Sequence, residues 1–168
     1  LRLVRDVDPE MVWGDNQAVA FDGEGDYVTI ADNQALNFGN GNMSLECWFK
    51  LDGVVEESKS LVHKYNFSDG YGIVVLNPGY LRMFFRDQDD RHNIERTYEG
   101  QEVDDGEWHH AAIVRDGVEF TLYLDGEAVE SVTVEGFGEL GNDQPLHFGC
   151  VKYPPDHGGA YQAYMDGS

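Results

Sequence analysis

Two acidic clusters and one aromatic, basic stretch hold the residues whose types and spacing could do chemistry. The string Glu102-Val-Asp104-Asp-Gly-Glu107 sets three acids at intervals of two and three. Retaining glycoside hydrolysis needs two carboxylates on one face, about 5–5.5 Å apart, across the bond being cut. On a strand such residues alternate with apolar ones, whereas these surround Asp105-Gly106, a turn. That placement defeats the two-carboxylate geometry, and the chain is not expected to be an enzyme. His109 and His110 are adjacent on a predicted strand and point to opposite faces, so they cannot chelate one ion together. No Gly-x-Ser-x-Gly elbow or Cys/His nucleophile pattern is present.

The second acidic cluster, Asp22-Gly23-Glu24-Gly25-Asp26, is a tight turn carrying carboxylates. Hard cations want several oxygens converging on such a turn, which makes Asp22 and Asp26 candidate Ca²⁺ ligands; an ordinary Asp-Gly turn is the simpler reading. Positions 87–93 look metal-like but miss the EF-hand spacing, because Arg91 sits where a third ligand belongs and no glycine follows. A solvated hairpin tip is expected there. The aromatic and basic group fits ligand binding best. Lys64, Tyr65, Asn66 and Tyr71 cluster around one turn, and Arg82 and Arg86 flank Phe84 on the outward face of a later strand. Aromatic faces stack on sugars while amides and charges take their hydroxyls, and arginine also suits carboxylates. The competing expectation is that Tyr71 and Phe84 are core and the arginines offset surrounding acid.

These residues must be positioned by a chain of 168 residues with a net charge of −21. One domain is expected, large enough to bury a core. The acidity argues against nucleic acid and against an anionic membrane surface, and it favours cations. No apolar stretch reaches membrane-spanning length, so no membrane insertion is expected. The chain opens on Leu1, as a processed protein or an excised domain would. Cys47 and Cys150 have no metal-ligand spacing; they form one disulfide joining the two halves, favoured if the protein is secreted, or remain two buried thiols. The sequons at Asn42 and Asn66 matter only in a glycosylating compartment.

Short alternating runs separated by turn signals fill the chain, and no segment keeps helical periodicity over eleven residues. In 44–51, Leu45, Cys47 and Phe49 take one face and Glu46, Trp48 and Lys50 the other. In 80–86, Leu81, Met83 and Phe85 oppose Arg82, Phe84 and Arg86. Asp116-Gly117 and Asp125-Gly126 divide 106–134 into a two-hairpin meander, with both turn residues expected at positive φ. Leu36 and Phe38 are expected to pin the polar connection 32–42 to the core. The whole predicts an all-β, two-sheet antiparallel sandwich or jelly roll.

The phrases AVAFDGEGDYVTI, NMSLECWFKL, GEWHHAAIVRDGVEFTLYLDGEAV, PLHFGC and GGAYQAYMDG, in that order, resemble the laminin G-like domains of the concanavalin A-like lectin/glucanase superfamily. The resemblance covers residues 18–166. It implies a jelly roll, usually an extracellular or cell-surface module that binds a glycan or an extracellular protein, often beside a structural calcium. It adds Asp166 to Asp22 and Asp26 as a calcium ligand and makes Trp108, His109 and His110 scaffold. An opening strand is not recognisable before Trp13, and the closing apolar strand after Asp166 is missing. The single domain 1–168 is therefore expected to lack part of its first and last strands, and its open edges would allow self-assembly by strand complementation as a structural or adhesive subunit.

Overall fold

The computed structural model describes residues 18–152, 161–162 and 166–167 apart from positions 24, 52, 54, 67 and 89–91, with the backbone alone from 151 onward. The strands are β1 (Phe21–Asp22), β2 (Val28–Ile30), β3 (Met43–Phe49), β4 (Lys59–Tyr65), β5 (Gly70–Leu76), β6 (Tyr80–Arg86) and β7 (Asn93–Glu102). They continue as β8 (His109–Asp116), β9 (Glu119–Leu124), β10 (Glu127–Thr133), β11 (Leu146–Phe148), β12 (Val151–Lys152), β13 (Tyr161–Gln162) and β14 (Asp166–Gly167). A 3-10 turn at Gln34–Leu36, capped by the Asn33 side chain, is the sole helical element among the described residues.

A six-stranded sheet in the order β2-β11-β4-β5-β6-β7 packs on a four-stranded sheet in the order β10-β9-β8-β3, and two short pairs, β1-β14 and β12-β13, complete the topology. All named pairings are antiparallel. This is the expected jelly-roll sandwich. The inward residues of β6 (Leu81, Met83, Phe85) meet those of β8 and β9 (Ile113, Phe120, Leu122), all fully buried, with the Phe85 and Phe120 rings edge to face at 4.9 Å. Because period-2 alternation sends one face of each sheet inward, a core of this kind follows from the pattern alone. Leu36 and Phe38 pack against it.

The two Asp-Gly signals end differently. Asp125 (φ 52) and Gly126 (φ 87) both take positive φ, as a two-residue hairpin turn demands. Asp116 instead pairs with Glu119, so the first turn is Gly117-Val118, with positive φ at Gly117 (60°). The expectation for that turn is corrected by one residue. Asn42 explains the shift: its side chain accepts from the Gly117 N–H (2.8 Å) and donates to Asp116 Oδ1 (2.7 Å), clamping the turn from outside.

Of the two readings open for Cys47 and Cys150, a disulfide or two thiols, the structure has two free thiols. Cys47 is a thiol in the middle of β3 in the four-stranded sheet, while Cys150 follows β11 in the six-stranded sheet. Burial first, then the neighbouring Glu46 carboxylate, push the Cys47 thiol up to about 12, so it stays protonated.

Candidate functional site

The strand register sorts the predicted ligand residues onto two faces. In β5, Tyr71, Ile73 and Val75 are buried in the core, which turns Gly70, Gly72 and Val74 outward. Lys64 is the partner of Tyr71 and so points inward, whereas His63 is the partner of Gly72 and points outward. One row of the outer face therefore runs Thr29–His147–His63–Gly72–Phe84–Glu95. Beside it lie Tyr65, Gly70 and Arg86, and on the other flank Ser60, Val74, Arg82 and Thr97.

On this outer face Tyr65 and Phe84 meet edge to face at 5.4 Å, and the Arg86 guanidinium lies over the Tyr65 ring at 5.6 Å. Glycine at position 72 makes that packing feasible: a Cβ there would come within 2.7 Å of both the His63 Cβ and the Phe84 ring. Arg82 is committed elsewhere. Its Nε donates to Thr97 Oγ1 (2.8 Å) and its Nη1 pairs with Glu95 Oε2 (2.8 Å), so it carries little unbalanced charge. His63 is buried and stacks on His147 at 5.3 Å, with Nδ1 at 3.0 Å from Ser60 Oγ. Burial first, and His147 second, hold its pKa down to about 3, so the ring is neutral at ordinary pH.

Lys64 and Tyr71 leave the candidate site, which is a correction. Lys64 is fully buried; its ammonium pairs with Asp32 Oδ1 (2.7 Å) and donates to the carbonyls of Asn142 (2.8 Å) and Gln144. Three donors meet three oxygens, as a buried ammonium requires. The Tyr71 hydroxyl donates to the Leu36 carbonyl (2.9 Å) and its ring packs on Phe38. Burial, followed by the Asp32 carboxylate, raises its phenol well above the usual range. Asn66 is occupied too: its Oδ1 accepts from the Ser68 and Asp69 N–H groups (2.8 Å each), forming the turn rather than facing a ligand.

Two acids of the acidic string hold the scaffold. Asp104 Oδ2 accepts from the Val55 N–H (2.9 Å), and Asp105 Oδ1 accepts from the Glu107 N–H (2.9 Å). His109 sits between Asp125 (Nδ1 to Oδ2, 2.8 Å) and Asp105 (Nε2 to Oδ1, 3.2 Å), while Asp125 Oδ1 takes the His110 N–H. Burial lowers the His109 pKa, but the two carboxylates outweigh it and the net shift is upward. Asp87, too, is buried and structural, bound to His92 Nδ1 (2.7 Å) and the Gly138 N–H (3.0 Å).

For calcium, the backbone sets Asp22 directly opposite Asp166 in the β1–β14 pair, beside Gly23 and Gly25, both at positive φ. Two carboxylate-bearing positions brought together across one strand pair fit a hard cation. The Asp166 side chain lies outside the described residues, and among those described no three His, Cys, Asp or Glu converge on a metal position.

A second aromatic surface lies at the four-stranded sheet, outside the residues the sequence singles out for a ligand. Trp48 is 66% exposed and Trp108 46%. The alternation in 44–51 already turned Trp48 outward. The family resemblance, by contrast, assigns the Trp-His-His phrase to the scaffold.

The profile of the concanavalin A-like lectin/glucanases superfamily, laminin G type, matches residues 22–167. No curated protein matches the chain. Among solved structures, the binding domain of Paraclostridial Mosquitocidal Protein 1 is similar with a TM-score of 0.65 at 16% identity, over 77% of this chain and 34% of that one. The mouse laminin α1 domains LG4-5 give 0.64 at 16% identity, over 98% of this chain and 44% of theirs. The Ruminococcus gnavus IT-sialidase CBM40 bound to α2,6-sialyllactose gives 0.60 at 16% identity, over 79% and 73%. The chain thus spans about a third of the toxin binding domain and under half of the laminin pair, and at such identities the likeness is one of fold.

Proposed function

This chain belongs to the laminin G-like family of the concanavalin A-like lectin/glucanase superfamily, and from that footing we propose that it is a non-catalytic, extracellular recognition module for a carbohydrate or protein ligand, bound on the outer face of the six-stranded sheet. One observation carries the reading: the half-exposed Tyr65–Phe84 pair with the Arg86 guanidinium laid over the Tyr65 ring. Aromatic edges and a guanidinium side by side supply both stacking and hydrogen-bond donation to hydroxyl or carboxylate. The sialyllactose-bound CBM40 and the toxin binding domain lend support, as sandwiches of this fold whose names declare binding. Against catalysis stands the commitment of Asp104 and Asp105 to backbone N–H groups.

The test is a glycan array and an extracellular-protein panel probed with wild type, Tyr65→Ala and Arg86→Ala. Retention of a ligand, weakened about tenfold or more by either variant, is expected for a stacked, charge-assisted contact. Retention by both variants at wild-type strength would sink the assignment to this face. Turnover of a β-glucan, lost on Glu102→Gln or Glu107→Gln, would sink the non-catalytic reading.

We also propose a structural Ca²⁺ at Asp22 and Asp166, with Asp26 as a further ligand; bound there it would supply charge neutralisation between β1 and β14. Its removal by EDTA is expected to lower the melting temperature, and an unchanged melt would remove the ion.

A further inference from the structure

We propose that the Trp48–Trp108 end of the four-stranded sheet is a second binding site, on the opposite sheet from the first, which stacks the rings of a neutral glycan. Trp48 stands directly across the β3–β8 ladder from His110, the two ring centroids 5.2 Å apart. Trp108 lies two residues before His110, so the strand's alternation continued backward places it on the same side. Both indoles are open to water, at 66% and 46%. Two such surfaces on one sheet end are a standing cost that burial against a ligand would recover.

The neighbours narrow the ligand. The next row of the same face runs Glu46–Ala112–Tyr123, so one small side chain lies between the carboxylate and a further aromatic ring, and Ser44 faces Val114 beyond it. Polar groups edge that row without being saturated. Glu46 Oε2 stands 3.6 Å from His110 Nε2, beyond a hydrogen bond, with its side chain 70% exposed. By contrast, Arg82 and Glu95 on the other sheet are closed on each other at 2.8 Å. An aromatic surface edged by the Glu46 and Asp125 carboxylates, the His110 imidazole and the following Lys50 suits a pyranose ring, whose C–H face stacks while its hydroxyls radiate to the rim. An acidic sugar would meet both Glu46 and the chain's net charge of −21. A cationic peptide would be drawn by the same carboxylates, and the lysine-rich peptide in the experiment below separates it from a glycan.

The experiment is calorimetry and indole-emission titration with three soluble neutral polysaccharides: a mixed-linkage β-glucan, a xyloglucan and a galactomannan. Wild type is expected to bind at least one and to blue-shift its emission. Trp48→Ala should weaken that affinity about tenfold and Trp48→Phe should recover part of it, as expected for loss of one stacked ring. Both variants should melt as wild type does, and Arg86→Ala, on the other sheet, should bind the polysaccharide unchanged. The proposal is overturned if none of the three binds, or if Trp48→Ala binds as tightly as wild type. It is equally overturned if sedimentation shows that Trp48→Ala dissolves a self-associated wild type, or if a lysine-rich peptide rather than a polysaccharide saturates the emission change. An Arg86→Ala protein that loses an arrayed ligand while keeping the polysaccharide would separate the two sites.

Discussion

The inner and outer faces of the six-stranded sheet each hold a tyrosine and a cation, yet treat them in opposite ways. On the inner face Lys64 is enclosed, and the fold surrounds its ammonium with Asp32 and two backbone carbonyls. On the outer face Arg86 keeps contact with water and rests on the Tyr65 ring. A buried ammonium must have every donor met by oxygen, because leaving one unmet costs more than the bond contributes. A delocalised guanidinium can also settle on an aromatic face, as Arg86 does. One step along β4, from Lys64 to Tyr65, therefore crosses from structural to ligand-facing chemistry. The comparison also corrects residue type as a guide: lysine, tyrosine and arginine near one turn do not make one site.

Lys64→Met should break the inner face hardest. It leaves the carbonyls of Asn142 and Gln144 without a donor, and a loss of about 3 kcal/mol is expected in urea unfolding. If Lys64→Met unfolds at the wild-type midpoint, the cage is not what holds the loop of Asn142 and Gln144 to the sheet. Gly72→Ala attacks the outer face by volume, wedging a methyl between His63 and Phe84; about 2 kcal/mol should be lost. The same variant should weaken any ligand of the Tyr65–Phe84 pair, which Lys64→Met should leave intact while the protein stays folded.

Titration sharpens the contrast by setting the six-stranded sheet against its partner. His63 has a folded pKa near 3, below its ordinary 6.5, so the stability it contributes is present above pH 6.5 and drains away as pH falls from there toward 3. His109, with a raised folded pKa, behaves in reverse: its contribution is complete below 6.5 and is lost as pH rises through the folded value. Melting temperature against pH should accordingly flatten on its acid limb in His63→Phe and on its neutral limb in His109→Gln. The smallest effect belongs to Arg82→Ala. Its part-exposed pair with Glu95 is worth under about 1 kcal/mol, so stability should barely move in a thermal melt.

Much of this was legible in the sequence. The alternation in 80–86 placed Leu81, Met83 and Phe85 inside, and all three are fully buried. The runs at 44–51 and 119–124 were equally readable, because a strand's period depends on its own residues alone. Lys64 was not readable. Its caging groups, Asp32, Asn142 and Gln144, come from distant loops, and nothing local in KSLVHKY says that a lysine will be enclosed. Arg115 shows the same limit: it is buried between the Phe120 and Phe137 rings, its guanidinium donating to the carbonyls of Gly39, Phe137 and Gly138. The first Asp-Gly turn slipped because Asn42, far upstream, clamps it. Cys47 and Cys150 were open to pairing in the sequence, since nothing local to either strand says whether the two thiols meet, and both are free.

The register His63↔His147, with β11 seated between β2 and β4, also has a consequence in time. Hairpins such as β8–β9 and β5–β6 close over a few residues and can form within microseconds, whereas β11 must arrive from the far end of the chain. The loop entropy of that arrival is spent before any of its contacts reward it. The outer face of the six-stranded sheet is thus finished late, after the meander at β8–β10 is already in place. Refolding should show Trp108 emission, beside the meander, recovering ahead of the burial of His147, and simultaneous recovery would contradict that order. A protein released from its ribosome would have its local hairpins closed while the slot for β11 between β2 and β4 is still empty.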